Sequence, residues 1–136
     1  MRDFYKVIAS CVITDSQNRV LLGKRSMSEE VFPGLWGIPG GKVEYDAISK
    51  QVLEDNLVRE AREEMGIEIR PEKYLCSNFN KEGTKLYIIF TAKHVSGEPR
   101  ALEDTEEVKW WNVDDIRSLD LTPNTLDNIK LAISRS

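Results

Sequence analysis

The sequence predicts an α+β protein, a mixed β-sheet flanked by helices, from three observations. Two β-branched apolar runs, "YKVIASCVITD" and "RVLLGKR", open the chain. Two more, "YLCSNFN" and "TKLYIIFTAKHV", follow its middle. Between these pairs lies one long amphipathic stretch of helical period, and a second helical stretch closes the chain. Strands on both sides of a central helix bury their apolar faces by packing as a sheet covered with helices. With 136 residues, 40% of them hydrophobic and 31% charged, the chain has the size and composition of a single globular domain spanning residues 1–136.

The first two runs, separated by the turn-forming "DSQN", predict a β-hairpin. The segment "SMSEEVFPGLWGIPGGKVEYDAIS" is rich in glycine and proline and predicts loops with short extended pieces. A helix is expected from about Ser49 to Met65, with Ser49 as N-cap and Gly66 as its stop. The next two strands turn at "KEG", and "SGEPR" is a loop. "EEVKWWNV" predicts a short strand and "NVDDIRSL" a short helix. In the terminal helix "TPNTLDNIKLAIS", Thr122 is placed to cap and Pro123 suits the first turn.

Charge and composition exclude several functions. A net charge of −4 argues against broad nucleic-acid binding, which needs a basic surface. It leaves room for a small phosphorylated ligand held through a metal ion. No apolar run reaches the ~18 residues of a membrane span. The segment "MRDFYKVIAS" lacks the apolar core of a signal peptide, so a cytoplasmic protein is expected. Cys11 and Cys76 sit in strand-like runs and read as free thiols. A homodimer is compatible with the sequence.

The central helix carries the chemistry. On a wheel of ~100° per residue, Leu53, Leu57, Val58, Ala61 and Met65 form the apolar arc. Glu60 and Glu64 do not lie opposite it; they continue the stripe of Leu53 and Leu57. Like charges at i,i+4 repel, and partial burial of a carboxylate is worse unless something positive is near. Arg59 is spaced to serve Glu63, whereas Glu60 and Glu64 have no matching partner within the helix. A solvated face is one reading; a bound Mg²⁺ or Mn²⁺ is the other, since hard cations take carboxylate oxygens. Upstream, Pro39-Gly40-Gly41 permits close approach of backbone to a ligand.

A Gly-Gly turn followed by Arg59, Glu60, Ala61, Arg62, Glu63, Glu64, Met65, Gly66 and Ile67 resembles the signature of the Nudix hydrolases, of the MutT-like kind. Gly41 takes the place of the signature glycine. "VLLGKR", "LWGIPGG" and "EEVKWWNVDDI" are also similar to that family. One departure stands out. Seventeen residues separate Gly41 from Arg59, where the signature has thirteen. The middle glutamate of the signature falls on Ala47 counted forward and on Gln51 counted back. Glu44, Asp46 and Glu54 are the acids near enough in sequence to take its place.

The resemblance implies an α/β/α sandwich and a Mg²⁺- or Mn²⁺-dependent pyrophosphohydrolase acting on a nucleotide or nucleotide derivative. It implies Glu60, Glu63 and Glu64 as metal ligands, with the Gly40 carbonyl as a further one. Glu60 or Glu63 would be the base, and Arg59 would orient the glutamates. A further acid from a distant loop is expected among Glu103, Asp104, Glu106 and Glu107. For substrate, Arg25 is placed to reach a phosphate, Gly41 to approach it by backbone, and Asn124 to meet a base. Asn78, Phe79 and Trp36 are candidates to line the base pocket. The preferred reaction is nucleoside triphosphate to monophosphate plus pyrophosphate. A Nudix-fold sensor without catalysis, and an ADP-ribose or nucleotide-sugar hydrolase, are the rivals.

Overall fold

The structure is a computed structural model that describes residues 4–136. The leader-peptide expectation draws partly on residues 1–3, which lie outside that range. The elements are β1 (Lys6–Thr14), β2 (Val20–Arg25), β3 (Trp36–Gly37), β4 (Gly40–Lys42), α1 (Val52–Met65), β5 (Glu68–Phe79), β6 (Lys85–Ser96), β7 (Thr105–Trp111), a 3-10 turn (Val113–Ser118) and α2 (Thr125–Ser134). The strands form one sheet along the path β3-β2-β1-β6-β5, with β4 added beside β1 and β7 beside β2. β1 and β6 run parallel; the other pairs are antiparallel.

The period-2 alternation of β1 and β2 builds two cores. Ala9, Cys11, Ile13 and Leu21 face α1 and pack with Leu57, Ala61 and Met65. Val12, Val20 and Leu22 face the opposite side, with Trp36, Ile116, Ile129 and Ala132. Apolar residues on both faces are what a covered central strand requires. Burying each Leu or Ile contributes about 1.5–3 kcal/mol. The outcome is the expected mixed sheet with helices on both sides. Among the described residues no helix is long and apolar enough to cross a membrane.

Three local expectations need correction. First, the hairpin opens almost at once: β1 and β2 share only the Thr14–Val20 pair. Beyond it β4 occupies the edge of β1 through Ile8–Lys42, Ala9–Gly41 and Ser10–Gly40, while β2 turns to β3 and β7. Second, α1 starts at Val52, with Gln51 in the cap position and no side-chain cap bond. Ser49 does not cap because its hydroxyl donates to Asp55 Oδ2 (2.6 Å) and accepts from the Gln51 N–H (3.1 Å). Third, α2 begins at Thr125, so Pro123 and Thr122 precede it and Asn124 holds the cap position in a left-handed conformation (φ 67°).

The turn joining β1 to β2 is held by one carboxylate. Asp15 Oδ1 accepts from the Gln17 and Arg19 N–H groups (3.0 and 2.9 Å), and Oδ2 from Arg19 Nε (2.8 Å). Burial opposes the charged form of Asp15, but these donors and the Arg19 charge outweigh it and hold the carboxyl below its usual range. A carboxyl with a lowered folded pKa adds stability above its unfolded pKa, and that stability is lost as pH falls through the folded value. Asp15→Ala is therefore expected to cost about 1–3 kcal/mol at pH 7. The gap to the native protein should close below about pH 4, as read from urea midpoints across pH.

Candidate active site

The apolar stripe of α1 fixes where its acids go. Leu57, Ala61 and Met65 are buried against the sheet, and Gly66 (φ 67°) ends the helix, its N–H donating to the Arg62 carbonyl and the Ile67 N–H to that of Ala61. Glu60 and Glu64 are thereby turned toward β4 and its two glycines. The Gly40 N–H donates to Glu64 Oε2 at 3.3 Å. The sequence points to the Gly40 carbonyl; the contact observed is made by its N–H. A Cβ on Gly41 would lie 2.5 Å from Glu60 Oε1 and 2.6 Å from Glu60 Cδ. Glycine at 41 thus leaves the space that the Glu60 carboxylate fills. Gly41→Ala should displace Glu60, lowering turnover at least ~10-fold, while the urea midpoint moves little because a side-chain tip can yield.

Arg59 does more than serve Glu63. Its Nη1 lies 3.0 Å from Glu63 Oε2 and 3.6 Å from Glu44 Oε1, and its Nη2 lies 3.1 Å from Glu60 Oε1. Glu60 therefore does have a partner in the helix, contrary to expectation, because the guanidinium forks to both sides. Arg62 faces away and pairs with Glu68. Asn56 escaped the sequence reading. It is buried at 6% exposure. Its Oδ1 accepts from Arg59 Nη2 (2.7 Å) and from the Glu44 N–H (3.1 Å), while its Nδ2 donates to the Val52 carbonyl (2.9 Å). The signal was available: Asn56, Glu60 and Glu64 recur every fourth residue on the inward stripe.

The acids are unevenly compensated. Burial pushes the Glu64 carboxyl up to about 8, and the charges of Glu60 and Glu103 push the same way. The Gly40 N–H and the Arg25 charge oppose them without winning. Burial also raises Glu60; Arg59 opposes, while Glu63 and Glu103 reinforce. Glu63 is the outermost of the three, its side chain 42% exposed against 13% for Glu60. Of the distant acids, Glu103 is thus the one that acts on both inner carboxylates. It lines the same cavity, as does Asp104. Its left-handed backbone (φ 51°) turns the chain just before β7. Glu106 and Glu107 are exposed on β7 and do not line the cavity.

Among the described residues no group of three acidic, histidine or cysteine side chains is already gathered around one point. The fit to a metal rests on charge and donor type. Glu60, Glu64 and Glu103 offer hard oxygens, and the Gly40 N–H and the Arg59 and Arg25 charges offset their mutual repulsion without cancelling it. A divalent cation is the group that such a set could hold.

Glu64 and Glu103 lie at one part of a cavity of about 650 Å³, whose lining includes Gly41, the residue against which Glu60 packs. Lys24, Arg25, Lys81 and Lys85 supply positive charge along it, and Asn78, Phe79, Tyr87, Asn124 and Asn128 line it too. Arg25 is tethered, Nε donating to the Val31 carbonyl (2.7 Å) with Nη2 3.5 Å from Glu29. Asn124 makes no cap bond with its side chain, which leaves the amide free to face a ligand. Trp36 is not part of the lining. It is buried and packs edge-on against Trp111 at 5.3 Å, so it belongs to the core.

The segment between β4 and α1 bulges outward. Asp46 Oδ1 accepts from the Ile48 and Ser49 N–H groups (2.8 and 2.9 Å), closing a turn that leaves Tyr45 and Ile48 90% and 86% exposed. Ala47 and Gln51, the two positions where the signature glutamate would fall, are both exposed. Of the acids named as substitutes, Glu44 reaches Arg59, whereas Asp46 is occupied in its own turn.

Comparison with known proteins places this geometry. The chain is 28% identical over 134 residues to the nucleoside triphosphatase NudI of Escherichia coli strain SE11, covering 89% of this chain and 92% of the relative. It superposes on a MutT NUDIX hydrolase from Burkholderia pseudomallei with a TM-score of 0.79 and 29% identity, covering 95% of this chain and 98% of that one. It also superposes on the NUDIX domain of Shewanella oneidensis NrtR complexed with ADP ribose, with a TM-score of 0.77 and 25% identity over 99% of this chain and 90% of that one. A family model for the NUDIX domain matches residues 4–131. With nearly the whole chain matched, and with Arg59 to Ile67 set against the Gly40–Gly41 turn, the protein belongs to the Nudix family of hydrolases.

Proposed function

We propose that this enzyme hydrolyses a nucleoside triphosphate to the monophosphate and pyrophosphate, with Mg²⁺ or Mn²⁺ as cofactor. The observation that carries the reading is that Glu64 and Glu103 line a cavity that also carries cationic and amide side chains, with Glu60 held beside them by Arg59 and against Gly41. The similarity to NudI, named a nucleoside triphosphatase, supports the choice of substrate.

Each part of the cavity has a task. Glu60, Glu64 and Glu103 would hold the cation, with Glu63 at the outer side. When bound, the cation neutralises phosphate oxygens and lowers the pKa of water. Arg59 keeps Glu60 and Glu63 apart and in place, so little reorganisation is left for the reaction itself. Glu60 or Glu63 takes the proton of the attacking water. Arg25 and Lys24 face the phosphates, and the Gly40–Gly41 backbone lets the chain approach them. Phe79 offers a ring for the base, with Asn78 and Asn124 as amides that can meet its edge. A cytoplasmic location suits such a substrate.

A panel assay tests this. Nucleoside triphosphates, diphosphates, nucleotide sugars, dinucleotides and ADP-ribose are incubated with the protein and Mg²⁺ or Mn²⁺, and phosphate and pyrophosphate are followed. Pyrophosphate release from a triphosphate is the expected result. Turnover of ADP-ribose alone would replace the substrate class, and binding without any turnover would favour a sensor. The ADP-ribose rival draws support from the NrtR domain solved with ADP ribose, and the sensor rival from the absence of a glutamate at Ala47 and Gln51.

A further inference from the structure

We infer that Asn56 is a positioning residue that takes over the role left open by the missing signature glutamate, by holding Arg59 and the end of the glycine turn from inside the helix. This rests on the proposed role of Glu60 and Glu64, and the geometry comes from one buried amide. Asn56 is 6% exposed. A buried amide is costly unless satisfied. Here Oδ1 accepts two bonds and Nδ2 donates one, each partner at 3.1 Å or less. The partners come from three places: the first turn of α1 (Val52), the chain leaving β4 (Glu44) and the guanidinium that braces the acids (Arg59).

Three observations make this more than a satisfied core polar group. Asn56 Oδ1 binds Arg59 Nη2, the same nitrogen that lies 3.1 Å from Glu60 Oε1. That nitrogen's direction, and with it the place of the Glu60 carboxylate, depends on Asn56. Next, neither position where the signature glutamate falls holds Arg59: Ala47 has no polar side chain, and the Gln51 amide donates to Asp55 Oδ1 (3.2 Å). Last, Asn56 is neutral. A carboxylate in its place would draw on the Arg59 charge, which already serves Glu44, Glu60 and Glu63. An amide oxygen fixes the fork and leaves that charge to the acids.

The experiment compares Asn56→Ala with the native protein in two assays. In steady-state hydrolysis, kcat should fall about 10-fold with KM within twofold, because the lost interaction orients the acids and does not touch substrate. In a Mn²⁺ titration of the substrate-free protein followed by electron paramagnetic resonance, affinity should fall about 10-fold. Arg59→Ala and the double variant complete a cycle. If Asn56 acts through Arg59, the double variant is no worse than Arg59→Ala; independent losses that multiply would overturn the inference. Asn56→Leu, which fills the volume without accepting a bond, should lose as much as alanine. Near-native kcat and Mn²⁺ affinity in a folded Asn56→Ala or Asn56→Leu protein would end it. If the native protein turns over no substrate, the proposed function fails, while the Mn²⁺ titrations still decide the role of Asn56.

Discussion

Glu64→Gln lowers kcat at least ~100-fold and leaves the urea midpoint unchanged or raised. The substitution keeps the shape and an acceptor for the Gly40 N–H, but removes the charge that would hold a cation. Stability should move in a way that an ordinary surface acid would not produce. Burial, with Glu60 and Glu103 adding to it, raises the Glu64 carboxyl to about 8. An unfolded glutamate titrates near ~4.3. Between those values the folded state binds the extra proton, so stability falls as pH rises through that window. In the presence of a chelator, the melting temperature of the native protein should decline between pH 5 and pH 8. The Glu64→Gln protein should show a flatter profile. At pH 8, millimolar Mg²⁺ should recover the loss in the native protein and not in the variant, since a ligand that binds only the folded state stabilises it. A native melting curve indifferent to both pH and Mg²⁺ would remove Glu64 from the proposed metal site.

Gly40→Ala is expected to destabilise the protein by about 3 kcal/mol and to reduce activity with it. A Cβ at this position would overlap Ser10 Oγ and the Ala9 carbonyl oxygen, and would sit 2.7 Å from Ser10 Cα. Two of these three atoms are backbone, so β4 must leave β1 before the methyl fits. The Gly40 N–H contact to Glu64 goes with it. Urea unfolding followed by tryptophan fluorescence reads the loss. Gly41→Ala is the control next door: its clash is with the tip of the Glu60 side chain and not with backbone, so activity should suffer there without a comparable fall in stability. An unchanged midpoint in Gly40→Ala would mean that β4 is not pinned to β1.

Much of this could be anticipated wherever the cause is local. The stripe of Leu57, Ala61 and Met65 gave the face of α1, and it gave the inward direction of Glu60 and Glu64. Gly66 marked the end of the helix because an αL residue is needed there. The start of the helix was harder, since Ser49 had a competing side-chain partner in Asp55. Pairings between distant segments left no local trace. Nothing near "PGGK" says that it will lie along Ile8–Ser10 and so divert β2 from β1. Glu103 could not be singled out from Asp104, Glu106 and Glu107 by position alone; the backbone turn before β7 makes the choice. Asn56 was passed over because a helix wheel sorts residues into apolar and charged, and a buried neutral amide belongs to neither class.

The parallel pairing of β1 with β6 bears on how the molecule comes into being. Thr14 and Lys93 touch across the ladder though they are 79 positions apart. Of the strands of this sheet, the central one therefore comes first in chain order, and its partner β6 exists only after the intervening elements have been made. Non-local pairing of this kind slows folding, because a long loop must close before any contact rewards it. Meanwhile α1 and the β5–β6 hairpin can form from neighbouring residues. The acids of α1 would then be assembled on their helix early, but they would meet the glycines of β4 only once β1 has been enclosed. Metal affinity during refolding should thus appear late, together with burial of the β1 core, and its time course can be followed against tryptophan fluorescence.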